Sequence, residues 1–407
     1  VDEIPHNILL FFDEKNNKKI EPKIKDSMYP HQFECLRKAI QMEGRILIAD
    51  EMGLGKTLQA LAIASFYRSE WPLLIVCPTS LKNTWLEAVI QWLVSVPRDK
   101  IVVIKSKEFT SSKIVYITSY ETLNCARDSI KKLNFKFIIG DESHNIKNIN
   151  STKTKIFLSF AKTTKRLVLL SGTPLLSRPL ELYSQINLIC PTLFTNFHKY
   201  AFRYCDAKKT KFGYNYNGAS NLSELKVILE EKVMIRRLKS DVLIAIPPKT
   251  RKIEFLDESL IETKYIITKT NFENKNDKSQ EILQYYNQSS LAKTNAVCSY
   301  VMELTNKIKK IIVFAHHKHI LESLSNVLKI NKIAHIKIDG CVNSNERHKL
   351  CNEFQNIIGC RLALLSLNTC STGLNLTVSQ TIIFAELTWN PGVLMQAEDR
   401  VHRIGQQ

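Results

Sequence analysis

The chain has 407 residues, 44% of them hydrophobic and 24% charged, with 57 Lys and Arg against 39 Asp and Glu and a formal net charge of +18. The length predicts two or three domains, each able to bury a core without disulfide or metal staples. The basic excess argues against an acidic small-molecule specialist and for a polyanion partner, with nucleic acid first and an acidic membrane surface second.

In chain order, residues 1–27 read as a short leader, and a chain that starts with Val rather than Met is expected to be a fragment of a longer protein. A first series of apolar runs then alternates with helical patterns: "RILIAD" (45–50), "LLIVC" (73–77), "KIVYIT" (113–118), "FKFIIGDE" (135–142) and "RLVLLSGT" (166–173). After Gly55 the pattern turns helical, with Leu58, Leu61, Ala62 and Ser65 on one face, and "SLKNTWLEAVIQWL" after Pro78 is also helical. From about Leu175 to Ala296 the chain becomes helical, basic and rich in Lys, Asn and Tyr, and "TKTNFENKNDKSQ" (268–280) is too polar to bury. A second series follows: "KIIVFAH" (310–316), "IAHIKIDG" (333–340), "RLALLSL" (361–367) and "TIIFAE" (381–386), with "NERHKLCNEFQ" (345–355) helical between them. Strand–helix alternation in two series predicts α/β folding with two parallel sheets. The predicted boundaries are a leader at 1–27, a first lobe at 28–175, a helical basic insertion at 176–296 and a second lobe at 297–407 that stops short of its end.

The ten cysteines form no C-x-x-C pair and no zinc spacing with histidine, and read as reduced, buried thiols of an intracellular protein. The histidines of "AHHKH" (His316, His317, His319) read as a strand end entering a helix rather than as metal ligands. No secretory signal is visible, and the longest uncharged stretch, Leu362 to Ala385, carries too many polar residues to span a bilayer.

The chemistry concentrates in four places. "DEMGLGKT" (50–57) follows a strand and opens a helix, the context a phosphate loop requires. Its glycines let backbone N–H groups approach phosphate oxygens, and the helix N-terminus adds partial positive charge. Lys56 would reach the β- and γ-phosphates and Thr57 would ligate Mg²⁺. The strict pattern has Gly where this chain has Asp50. "GDESH" (140–144) places two carboxylates at a strand tip: Asp141 to hold Mg²⁺ and Glu142 to orient and activate an attacking water. As a helix N-cap the run would need only Asp or Ser, but in one sheet with a phosphate loop the catalytic reading is preferred. "SGTP" (171–174) would sense the nucleotide. In "QAEDRVHRIGQ" (396–406), Arg400 and Arg403 share a helix face as arginine-finger candidates for transition-state charge.

In this order the motifs resemble the helicase-like ATPases of superfamily two, Swi/Snf type: "YPHQ" (29–32), "DEMGLGKT", "CPTSLKNTW" (77–85), "ITSYE" (117–121), "DESH", "LSGTP", "VFAHH" (313–317), "STGLNL" (371–376) and "QAEDRVHRIGQ". Within the family, "RPLELYSQI" (178–186), "RYCDAKKTKFGYNYNGASNLSELK" (203–226), "VMIRRLKSDVL" (233–243) and "FAELTWNPGVLMQAEDRVHRIGQ" (384–406) are similar to the branch of annealing helicases. The resemblance implies two RecA-like lobes, ATP and Mg²⁺ as cofactors, and a nuclear DNA-dependent ATPase that translocates on duplex DNA and rewinds strands or remodels stalled replication forks. By position it implies that Gln32 reads adenine, that Gly53, Gly55, Gly373 and Gln396 lie at the nucleotide, and that "CPTSLKNTW", "ITSYE" and "STGLNL" track DNA. Asp in place of the first glycine is common in the family. Substrate-recognition domains and a replication-protein-A binding motif, expected upstream in this branch, are not found in residues 1–27.

Between Lys208 and Lys252, eleven basic residues face four acidic ones, with Tyr214 and Tyr216 nearby. The stripe suits phosphate tracking without base specificity, and Arg236 and Arg237, which interrupt the apolar "VMI", are its strongest candidates for a specific role. Two other readings compete: a nucleosome or protein–DNA remodeller with the same motor, and a non-catalytic DNA-binding scaffold, disfavoured because Lys56, Asp141, Glu142 and Arg403 are all in place.

Overall fold

Apolar runs too short for helical periodicity and bounded by Gly, Pro or Asp become strands here, and the amphipathic runs between them become helices. The computed structural model describes residues 19–106, 109–148, 151–172, 179–211, 213–242, 249–265, 278–367, 376–389 and 391–402. They divide into two compact units, residues 1–244 and 245–407.

The first unit is built on a seven-stranded, wholly parallel sheet. Its strands are β1 (Arg45–Ile48), β2 (Leu73–Cys77), β3 (Ile101–Val103), β4 (Val115–Ser119), β5 (Phe137–Gly140), β6 (Arg166–Leu170) and β9 (Met234–Ile235), in the order β3-β4-β2-β5-β6-β1-β9. Helices cover both faces, so β2, β4 and β5 are buried at every position. Alternate residues feed two cores. Leu47, Leu74, Val76, Tyr116, Ile138 and Leu169 face one, and Ile46, Ile48, Ile75, Ile117, Ile139 and Leu170 face the other.

The second unit holds a four-stranded parallel sheet of β10 (Ile311–Ala315), β11 (His335–Ile338), β12 (Leu362–Ser366) and β13 (Thr381–Phe384), ordered β11-β12-β10-β13. It too separates two cores, one around Phe314, Ile338 and Leu365 and the other around Val313, Leu321 and Leu364. The expected mixed α/β class with two parallel sheets is therefore present.

Parts of two stretches, read as a leader at 1–27 and as a helical basic insertion at 176–296, pack into the units. Ile20 and Ile24, in the segment read as a leader, lie in the first unit's core around Ile46 and Ile48, where buried Glu21 accepts from the Ser95 amide at 3.1 Å. The stretch 176–296 is shared: Leu182, Ile186, Leu225 and Leu229 pack in the first unit, and Leu256 packs against a core of the second. Nor is it all helical. β7 (Lys208–Thr210) and β8 (Gly213–Asn215) form an exposed antiparallel hairpin, and β9 extends the main sheet, pairing Leu47 with Met234 and Ile48 with Ile235. A strand of two residues leaves too little alternation for a sequence pattern to register.

Among the described residues, Cys35, Cys77, Cys205, Cys298, Cys351 and Cys360 are buried free thiols, whereas Cys125 and Cys341 are exposed, contrary to their reading as buried. No helix among the described residues is long and apolar enough to cross a membrane.

Candidate functional site

β5, β6 and β1 are neighbours, and all run in one direction. Their C-terminal ends therefore meet at one edge of the sheet, where parallel α/β sheets present loops to ligands. β1 delivers Asp50–Thr57, β5 delivers Asp141 and Glu142, and β6 delivers Ser171 and Gly172.

The Asp50–Thr57 loop turns on two glycines with positive φ, Gly53 at 92° and Gly55 at 78°, and Gly55 caps the helix Lys56–Phe66. A Cβ on Gly55 would sit 2.3 Å from Gln32 Nε2, so any side chain there would displace the Gln32 amide while holding a positive φ that favours glycine. Gln32 belongs to the helix Pro30–Gln41, and its amide is spoken for: Oε1 accepts from the Tyr29 amide at 2.9 Å and Nε2 donates to the Leu54 carbonyl at 3.2 Å. His31 Nε2 lies 3.2 Å from the same carbonyl. The Lys56 ammonium donates to the carbonyls of Asp50 at 2.8 Å and Glu51 at 3.2 Å. Gly172 is pressed onto this loop, where a Cβ would lie 2.5 Å from Met52 Cγ and 3.3 Å from Lys56 Nζ.

The acid pair sits beside Gly140, whose missing side chain leaves room for Leu169 and Phe157. Asp141 Oδ2 accepts from Trp85 Nε1 at 2.8 Å, and its Oδ1 accepts from the Glu142 amide at 2.8 Å. Burial first, and then the neighbouring Glu142, push the Asp141 carboxyl up to about 6, against the opposing Trp85 indole, Glu142 amide and Lys56 ammonium. Glu142 is held at φ 48°, ψ 55°, a left-handed conformation that costs a non-glycine residue about 1 kcal/mol. Its carbonyl accepts from the Asn145 amide and side chain, each at 2.9 Å, and His144 Nδ1 lies 3.3 Å from its Oε2. Its side chain does not cap the following turn Ser143–Ile146, so the run is not a side-chain N-cap.

Thr57 and Asp141 offer the hard oxygen donors that Mg²⁺ takes, and the buried Asp141 carboxyl, pushed up by burial and by the adjoining Glu142 carboxylate, marks a site short of positive charge. The residues present therefore fit a magnesium ion. No group of three or more His, Cys, Asp or Glu able to hold a metal occurs among the described residues.

Gln32, Gly53, Gly55, Lys56, Thr57, Asp141 and Glu142 all belong to the first unit, and Gln396 and Arg400 to the second. Arg400 follows the helix Pro391–Glu398 and is 6% exposed, and its carbonyl accepts from the Leu376 amide. Gly373, Arg403, the last two residues of "SGTP" and residues 371–375 of "STGLNL" lie outside the described residues. His317 caps the start of the helix Lys318–Ile330, with its ring nitrogen 2.6 Å from Glu386 Oε1 and its amide donating to Glu386 Oε2.

Two sequence expectations change. Trp85, read within a DNA-tracking segment, is 2% exposed and serves Asp141 instead. Arg237, read as part of the phosphate-tracking stripe, points into the first unit and pairs with Asp50. The departure of Asp50 from the glycine pattern was the available signal for that pairing, because a buried carboxylate needs a cation. Nothing in the spacing pointed to Trp85.

The SNF2-related domain matches residues 31–329, and the helicase conserved C-terminal domain matches residues 292–405. The SWI/SNF-related matrix-associated actin-dependent regulator of chromatin subfamily A-like protein 1 of Xenopus laevis is 43% identical over 95% of this chain and 41% of its own length. The DNA annealing helicase and endonuclease ZRANB3 of Homo sapiens is 39% identical over 94% of this chain and 38% of its own. The chain thus spans about two fifths of the length of these relatives. The Sulfolobus solfataricus SWI2/SNF2 ATPase core in complex with dsDNA is 23% identical, covers 96% of this chain and 86% of that one, and has a TM-score of 0.48.

Proposed function

Because the chain belongs to the SNF2-related family, we propose that it is a DNA-dependent ATPase motor, which translocates on duplex DNA and reanneals strands or remodels stalled replication forks in the nucleus. One observation carries the ATPase part: the phosphate loop, the acid pair and Ser171–Gly172 issue from three adjacent strand ends. The annealing part is supported by the relative named as a DNA annealing helicase.

In this reading the loop amides and Lys56 bind the β- and γ-phosphates, with Lys56 leaving its loop carbonyls to do so. Thr57 and Asp141 hold Mg²⁺, which neutralises phosphate charge. Glu142, turned by its left-handed backbone, orients the attacking water and takes its proton. Arg400 and Arg403 supply charge to the transition state. Gln32 reaches an adenine by releasing the Leu54 carbonyl. Gly373 and Gln396 complete the nucleotide contacts. For the whole protein, replication protein A is the proposed recruiting partner.

The test is ATP hydrolysis with and without DNA. Stimulation by DNA, lost in Lys56→Ala and Glu142→Gln with DNA binding retained, is the expected result; equal turnover with and without DNA would sink the coupling. Preference for forked or bubble DNA over nucleosomes supports fork remodelling, and the reverse preference supports the nucleosome-remodelling reading.

A further inference from the structure

Asp50 stands where a strict phosphate loop has glycine, and it is 0% exposed. A carboxylate withdrawn from water persists only when a cation and hydrogen bonds satisfy it. Four donors do so. Oδ1 accepts from the Arg237 amide at 3.0 Å and Nε at 3.1 Å, while Oδ2 accepts from Arg237 Nη2 at 2.5 Å and Gln59 Nε2 at 3.0 Å. The same guanidinium donates to the His31 carbonyl and lies 3.4 Å from Gln59 Oε1. Asp50 meanwhile turns its own carbonyl to Lys56 Nζ.

The backbone makes the same join. Leu47, Ala49 and Glu51 donate their amides to the carbonyls of Val233, Ile235 and Arg237, and the Lys239 amide donates to Glu51 Oε2. The ladder therefore runs past β1 into the first residues of the loop. It comes from a segment distant in sequence that leads to Ile244, where the first unit ends.

We propose that Arg237 is a positioning residue for the phosphate loop: delivered by β9, it fixes Asp50 by two-pronged pairing and so sets the conformation in which the loop receives nucleotide phosphates. The inference rests on the reading that this loop binds a nucleotide. A glycine at position 50 would need no such partner, so the Asp and the Arg form one device. Lysine cannot replace the arginine fully, because a single ammonium cannot bridge both carboxylate oxygens and the His31 carbonyl.

The experiment titrates N-methylanthraniloyl-ATP with Mg²⁺ into the 407-residue chain and into Arg237→Lys, Arg237→Leu and the double variant Asp50→Gly with Arg237→Leu. Melting temperature and ATPase KM and kcat are followed in parallel. Arg237→Leu should weaken nucleotide binding about tenfold or more, and Arg237→Lys by an intermediate factor, with the loss in KM rather than kcat. The double variant should recover to within about threefold of the parent, since no buried charge remains to be served. A lower melting temperature with unchanged affinity in Arg237→Leu would make the pair merely structural and overturn the proposal, as would a double variant as weak as Arg237→Leu. Should Arg237→Leu fail to fold, Arg237→Lys decides, and parental affinity there overturns it. A parent chain that binds no nucleotide defeats the nucleotide reading itself, and the proposal with it.

Discussion

Asp141 shows how one position joins stability to function. Its carboxyl is buried against Glu142 and titrates near 6 rather than near its ordinary 3.8. Below that ordinary value the group is protonated whether the chain is folded or not. Between there and about 6, the unfolded chain releases the proton while the folded chain keeps it, so stability falls as pH rises through this window. Asp141→Asn should abolish that fall and be more stable than the parent at pH 7.5, measured by thermal unfolding without nucleotide or Mg²⁺; an unchanged pH profile would refute it. Gly55 makes the complementary case. Gly55→Ala imposes a left-handed backbone on alanine and a collision with Gln32 Nε2, and should cost about 1–2 kcal/mol together with loss of nucleotide binding. Parental stability and affinity in that variant would show that the loop relaxes freely.

At the scale of elements, the site is held from outside the loop that forms it. The helix Pro30–Gln41 props the loop through Gln32 and His31, the helix Lys82–Trp92 brings the Trp85 indole to Asp141, and β9 brings Arg237 to Asp50. The segment Pro22–Ser27 belongs to the same body, because Ile24 is wholly buried in the core beneath the helix Lys56–Phe66. Ile24→Ala should therefore destabilise the first unit by about 2–4 kcal/mol, read by denaturant unfolding. A loss below about 0.5 kcal/mol, typical of a surface change, would mean that this segment is not part of the core.

Over the whole molecule, the +18 charge has two kinds of use. Arg237 and Lys239 are turned inward, whereas Lys208, Lys209 and Lys211 stand exposed on the β7–β8 hairpin beside Tyr214 and Tyr216, which stack 6.1 Å apart. Replacing the three hairpin lysines by Gln should flatten the plot of log binding constant against log salt by up to about 0.9 for each DNA phosphate that they neutralise. Measured on one duplex between 50 and 200 mM salt, roughly the range over which such charge pairing dominates, an unchanged slope would remove the hairpin from the DNA surface.

The sequence by itself determined what local chemistry dictates. Continuous apolar runs such as "LLIVC" can only be strands buried on both faces, a glycine-rich turn between strand and helix can only present its amides, and adjacent carboxylates at a strand tip announce a charged site. The motif order was enough to place the chain in its family. What only the tertiary structure decided are the partnerships between residues far apart in the chain. That Arg237 faces Asp50 rather than a DNA backbone, and that Trp85 serves Asp141, follow from β9 lying beside β1 and from the helix Lys82–Trp92 bringing its indole to the residue that follows β5. Periodicity reports which face of an element is apolar, but it is silent on which distant element will cover that face. A buried carboxylate states that it needs a cation, and only the fold chooses which arginine arrives.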